Sequence, residues 1–169
     1  MQQFKKIHAK VQRLIKSSGA HVVPFYKVQN TMSKRMLGYS TGAYSSRFDV
    51  IAINTLDTYK GTLPWNINVT LLHELIHWTG HEKRLNRKSV TRKIARINTQ
   101  TYHTEEAIAQ YGMYYLAIEL GFDKKHYAKV LRAYLKEYPL ADRVKARKAA
   151  KAATTYLLSL GKDLKLQAA

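Results

Sequence analysis

The chain contains no cysteine. Disulfides and thiolate metal ligands are therefore excluded, and any metal site must draw on histidine and carboxylates. Acidic residues are also scarce, 11 Asp and Glu against 29 Lys and Arg, which gives a formal net charge of +18. None of the eleven precedes Asp49, whereas residues 1–48 hold nine Lys and Arg. With 3 Pro and 8 Gly in 169 residues, no linker is long enough to divide the sequence, and a single domain over residues 1–169 is expected. No apolar run approaches a membrane span in length. The opening Met1-Gln2-Gln3-Phe4-Lys5-Lys6-Ile7 lacks the apolar segment of a signal peptide. A cytoplasmic protein with no membrane partner is expected.

Against these absences stands one dense stretch, Leu71-Leu72-His73-Glu74-Leu75-Ile76-His77-Trp78-Thr79-Gly80-His81. It sets His-Glu-x-x-His in an apolar run. On a helix, residues four apart share a face, so His73 and His77 can offer imidazole nitrogen to one ion. Glu74 can reach a water at that ion without ligating it, the position of a general base. Zn²⁺ suits such ligands and acidifies a bound water to a pKa of roughly 7. An apolar helix with unpaired His and Glu would otherwise carry a desolvation cost.

Either side of this motif the periodicity is legible. Residues 3–17 place Phe4, Ile7, Val11, Leu14 and Ile15 at helical spacing, stopped by Ser17-Ser18-Gly19. Residues 20–29 read as a strand whose Pro24 implies an edge or a bulge. Residues 30–46 are turn-rich, and Asp49–Asn54 is a short apolar strand. A loop over 55–64 leads to Asn66 or Asn68 as N-cap of the motif helix, with Gly80 at its end. A third helix is expected with Thr104 as cap and Glu105 and Glu106 in its first turn, running to a stop at Gly121. Asp123 opens a fourth helix, and Pro139 fits the first turn of a fifth that reaches about Leu160. The order predicts an α+β fold, with a small sheet packed on a central metal-binding helix and a helical C-terminal half.

A site on one helix needs a further ligand. A histidine six residues after the second would make the metzincin pattern, but Lys83 stands there. His81 is one source, and the acidic pair Glu105-Glu106 is another, in the manner of gluzincins. The run His73–His81, followed by Arg84-Leu85-Asn86-Arg87, Tyr102, Glu105-Glu106 and Ala109, resembles the zincin-like metallopeptidase domain of ArdC-type antirestriction proteins and phage polyvalent proteins. The likeness covers about Tyr44 to Leu158. It implies a zincin-like fold and Zn²⁺ held by His73, His77 and Glu106, with Glu105 the alternative. It also implies that the acid closing the family's Glu-Glu-x-x-Ala-Glu pattern is here Gln110, an amide, which would weaken the orienting of a ligand histidine.

The charge adds a second expectation, attraction to nucleic acid with little sequence specificity. Candidate contacts are Lys83, Arg84, Arg87, Lys88, Arg92 and Lys93 after the motif, and Arg143, Lys145, Arg147 and Lys148 in the final helix. Together these readings describe a zinc metallopeptidase with a nucleic-acid-binding surface, an antirestriction factor of a phage or plasmid acting in the host cytoplasm. Two alternatives stand beside it: a DNA-binding protein whose zinc site is structural or vestigial, and a regulatory peptidase that cleaves a repressor.

Overall fold

A computed structural model describes residues 2–28, 41–54, 65–91 and 99–161. The expected loop over 55–64 and the basic positions Arg92 and Lys93 lie outside them. Helix α1 spans Gln2–Ser18 and buries Val11 and Leu14 against the core. Its Lys10 ammonium donates to the carbonyl of Leu120, 3.1 Å away, where a helix ends and its dipole favours a cation. Strand β1 (His21–Pro24) lies at a sheet edge and stops at Pro24, giving way to a 3-10 turn over Phe25–Lys27. The strand is therefore shorter than residues 20–29, because proline's missing N–H ends the ladder.

The sheet has the order β1-β3-β2, with β2 at Gly42–Ser45 and β3 at Val50–Ile53. Strand β1 runs parallel to β3 with His21 opposite Val50, and β2 runs antiparallel with Gly42 opposite Ile53. All four residues of β3 are buried, as a central apolar strand requires. Strand β2 falls inside the stretch expected to be turns. Its small residues hide it from a propensity reading, and packing explains them. A Cβ on Gly42 would come 2.5 Å from Thr70 Cγ2 and 3.0 Å from Glu74 Cγ, so only glycine lets this strand lie so close to the motif helix.

That helix, α2 (Trp65–Thr79), is the centre of the fold. It touches β2 and β3 on one side and α1, α4 and α6 on others, and buries Leu71, Leu72, Leu75, Ile76 and Trp78. It begins before Asn66 and Asn68, so neither is its cap. Asn68 is fully buried within it, its Oδ1 2.8 Å from His8 Nδ1. Helix α3 is a short turn at Lys88–Thr91, and α4 is long, Gln100–Leu120. Where α4 crosses α2, a Cβ on Gly112 would meet Ile76 Cδ1 at 2.6 Å.

Helix α4 starts one turn earlier than expected. Its cap is Thr99, whose side chain accepts from the amide of Tyr102. The Thr104 hydroxyl is buried inside the helix and accepts from the Asp142 amide at 3.0 Å. Glu105 and Glu106 thus sit in the second turn, where neighbouring side chains rather than the helix end must stabilise them. Gly121 caps α4 in the left-handed conformation, and Asp123 caps α5 (Lys124–Lys136). The last helix, α6 (Arg143–Leu160), takes Asp142 as its cap, so Pro139 belongs to the preceding turn and not to the helix. The α6 residues Ala146, Ala150, Ala153 and Leu157 are buried, a helical stripe facing the core. Its lysines and arginines are left outside. Among the described residues no helix is long and apolar enough to cross a membrane.

Candidate metal centre

Helix α2 presents His73 and His77 on one face, their Nε2 atoms 3.2 Å apart. Helix α4 brings Glu106 to the same point: its Oε2 lies 3.5 Å from His73 Nε2, and its Oε1 3.7 Å from His77 Nε2. One ligand atom from each of the three residues fits within 4.8 Å of the others. Two nitrogen lone pairs and a carboxylate facing one another repel unless a cation lies among them. Burial alone would lower the His77 pKa, but Glu106 and Glu105 outweigh it and raise it well above the usual value. Despite its burial, Glu106 is held well below the carboxylate range by His77 and His73. The pocket favours positive charge, and its nitrogen–oxygen donor set suits a divalent metal.

Glu105 points elsewhere. His77 Nδ1 lies 3.1 Å from its Oε1, Arg87 donates Nη2 to Oε1 at 2.7 Å and Nε to Oε2 at 3.1 Å, and the Ser89 hydroxyl donates to Oε2. Burial would raise the Glu105 pKa, yet Arg87 and His77 bring it down to about 2. A permanently ionised carboxylate can only accept, so Nδ1 of His77 carries a proton and, in the neutral ring, Nε2 is left free for a metal. The orienting of His77 thus rests on Glu105, not on position 110. Gln110 is buried, and its carbonyl oxygen has no partner among the described residues.

Glu74 is buried next to this cluster. Burial, with Glu106, raises its pKa above the ordinary value despite His73 and His77. The backbone of Tyr44 in β2 acts weakly against that rise, and Glu74 Cγ would lie 3.0 Å from a Cβ on Gly42, so strand and base are close neighbours. Strand β2 is in turn tied to the end of α2. Arg84 donates Nη1 to Asp49 Oδ2 at 3.0 Å and Nη2 to both Asp49 Oδ1 and the Tyr44 hydroxyl. Tyr44 donates that hydroxyl to Asp49 at 2.9 Å. The Arg84 guanidinium also stacks 3.7 Å above the Trp78 ring and donates Nε to the Trp78 carbonyl. His81 completes the tie, its Nε2 3.2 Å from the Ser46 carbonyl. It serves the β2–β3 turn and is not in the metal cluster.

A model of the zincin-like metallopeptidase family matches residues 26–154. The chain belongs to that family. No curated protein matches. Among solved structures, the Mn(II)-bound antirestriction protein ArdC from the R388 plasmid superposes with a TM-score of 0.61 at 24% identity, covering 91% of this chain and 52% of that one. The metal-free ArdC structure gives a TM-score of 0.57 at the same identity, covering 91% and 51%. This chain spans about half the length of ArdC, and the likeness is one of fold.

Within this zincin-like fold, the tyrosines sort themselves by position. Tyr111 carries its hydroxyl away from the cleft, accepting from Arg147, and Tyr114 packs beside Tyr115. His103 Nδ1 accepts from the Leu140 amide. Tyr102 remains at the cleft, its pKa raised to about 12 by burial and by Glu106 and Glu74. Tyr138, which sequence reading did not single out, has its hydroxyl 3.5 Å from Glu106 Oε2. No local pattern marks it, because the turn after α5 alone carries it back across α4.

The basic positions divide similarly. Arg84 and Arg87 are engaged inside the fold, on Asp49 and Glu105. Lys83 and Lys88 are exposed, as are Arg143, Lys145, Arg147 and Lys148 along α6.

Proposed function

We propose that this protein is a zinc-dependent metallopeptidase with a nucleic-acid-binding surface, an antirestriction factor of a phage or plasmid working in the host cytoplasm. The observation that carries the enzymatic part is the convergence of His73, His77 and Glu106 beside a buried Glu74. His73 and His77 would hold Zn²⁺ through Nε2, and Glu106 through its carboxylate. Zn²⁺ supplies Lewis-acid polarisation and an acidified water.

Glu74 takes a proton from the attacking water onto its carboxylate and passes it to the leaving amine nitrogen. Its burial raises its basicity for that task. An extended peptide would lie along the outer edge of β2, not along β3, since β3 is paired on both sides. The hydroxyls of Tyr102 and Tyr138 would donate to oxygen that gains charge in the reaction.

The antirestriction part rests on the fold shared with ArdC, and the nucleic-acid part on the +18 charge. The test is Glu74→Gln in the full chain, assayed on an unfolded protein substrate with metal content measured alongside. The variant should retain metal and fold and lose hydrolysis by about 10²- to 10⁴-fold. Equal cleavage by the variant would end this mechanism.

A further inference from the structure

We infer that the groove between α4 and α6 lined by Tyr115, Arg147, Lys148 and Lys151 is a binding site for single-stranded nucleic acid. The inference deepens the nucleic-acid reading above and rests on it. It starts from a surface cavity of about 500 Å³ whose lining is three cations and one tyrosine. Among the described residues no carboxylate comes within ion-pair distance of those cations. Three like charges gathered without a counter-ion repel one another, and an anionic ligand relieves that repulsion.

The aromatic wall is ordered. The Tyr115 ring stacks on Tyr111 at 6.3 Å with an interplanar angle of 22°, and Tyr114 packs against it at 5.7 Å. The Arg147 guanidinium sits 5.4 Å over the Tyr111 ring and donates Nε to the Tyr111 hydroxyl at 3.2 Å. Those contacts fix the direction of Arg147 without neutralising it, which preorganises a phosphate contact.

Two features select the ligand. First, the cations form a row: Arg143, Arg147 and Lys151 recur every four residues, about 6 Å of helix rise, and all are exposed. A lone phosphate would fill one such position, whereas a polynucleotide backbone can follow several. Second, the half-buried tyrosine in the lining offers a π-face for a base. In a duplex the base faces are already stacked, so only a single strand can use both the tyrosine and the cations. An acidic peptide would use the cations alone.

The experiment is fluorescence anisotropy of the full chain with labelled oligothymidylate of about 12 nucleotides, and with a duplex of equal length, across a salt series. The combined variant Arg147→Gln/Lys148→Gln/Lys151→Gln should weaken single-strand binding at least tenfold and lower the log–log salt slope by roughly 2, at about 0.7 per lost contact. The control Lys124→Gln/Lys125→Gln/Lys129→Gln removes the same charge from exposed positions on α5 and should change affinity less than threefold. Tyr115→Leu should weaken binding roughly five- to fiftyfold with the salt slope unchanged, and Tyr115→Trp should restore it. Circular dichroism checks that each variant is folded, and a misfolded Tyr115→Leu leaves the triple variant to decide. Four results would overturn the site: equal losses in the control, an unaffected triple variant, a folded Tyr115→Leu that binds like wild type, or a duplex bound as tightly as the single strand. No binding by wild type at low salt would remove the nucleic-acid reading itself, a different failure from wild-type binding that ignores the groove.

Discussion

The cleft between α2 and α4 and the outer face of α6 treat charge in opposite ways. In the cleft, Glu74 and Glu105 are buried, and Glu105 and Glu106 are closely paired with histidines or with Arg87. On α6 the cations stand in solvent with no acid paired to them among the described residues. The difference follows from where the chain places its few carboxylates. Asp49 holds Arg84, and Asp123 and Asp142 cap helices. Asp57 and Asp163 lie outside the described residues, and the exposed acids among the described ones are the two capping aspartates with Glu82, Glu119 and Glu137. With Asp49, Glu74, Glu105 and Glu106 taken up inside the fold or at the site, the few exposed acids cannot offset the Lys and Arg, and the surface is cationic. A site built from buried pairs is sensitive to single changes, and a row of exposed lysines is not.

That contrast can be broken or sharpened by experiment. The largest effect should come from Glu105→Ala. It leaves the metal-facing atoms in place but frees His77 Nδ1 and strands Arg87, so metal affinity should fall about 10- to 100-fold by titration against a chelating dye. An unchanged affinity would mean that Glu105 orients nothing. Next is Arg84→Ala, which removes the tie between β2 and the end of α2. It should destabilise the fold by about 2 kcal/mol in urea denaturation. Arg84→Lys should recover only part, since an ammonium cannot span both Asp49 oxygens and cover Trp78.

A pH titration separates the two regions further. The Glu105 pKa is depressed from 4.5 to about 2 in the fold. Its contribution to stability is therefore complete above the unfolded value and is lost as pH falls from about 4.5 toward 2. With metal removed by chelation, Glu105→Gln should flatten the stability curve in that window, as read by thermal melting. The smallest effect belongs to the other side of the comparison. Lys148→Gln with Lys151→Gln should change stability by no more than about 0.5 kcal/mol and leave metal binding alone.

The sequence disclosed what depends on local spacing. A helix alone puts His73 and His77 together, and Gly121 ends a helix and Asp123 opens one by their own chemistry. What depends on a partner across the fold stayed hidden. Strand β2 is read as turns because its small residues answer to Thr70 and Glu74. Thr104 looks like a cap until Asp142 takes its hydroxyl, and Tyr138 is an ordinary tyrosine until the chain returns over Glu106. Arg84 and Arg87 carry the same charge as Lys83 and Lys88, and only tertiary contact turns the first two inward. The glutamates are the clearest case. Glu105 and Glu106 are adjacent and alike, yet one helical step sends the first to Nδ1 and Arg87 and the second to the two Nε2 atoms.

That division between neighbouring glutamates is also what the central claim depends on. The direct measurement is metal content per chain after dialysis against trace Zn²⁺, by elemental analysis, for wild type, His73→Ala, His77→Ala, Glu106→Ala and Glu105→Ala. The account gives about one zinc per chain in wild type. It gives none in the His73, His77 and Glu106 variants, and a weakened but measurable occupancy in the Glu105 variant. Full occupancy in Glu106→Ala, with the metal lost in Glu105→Ala, would contradict it.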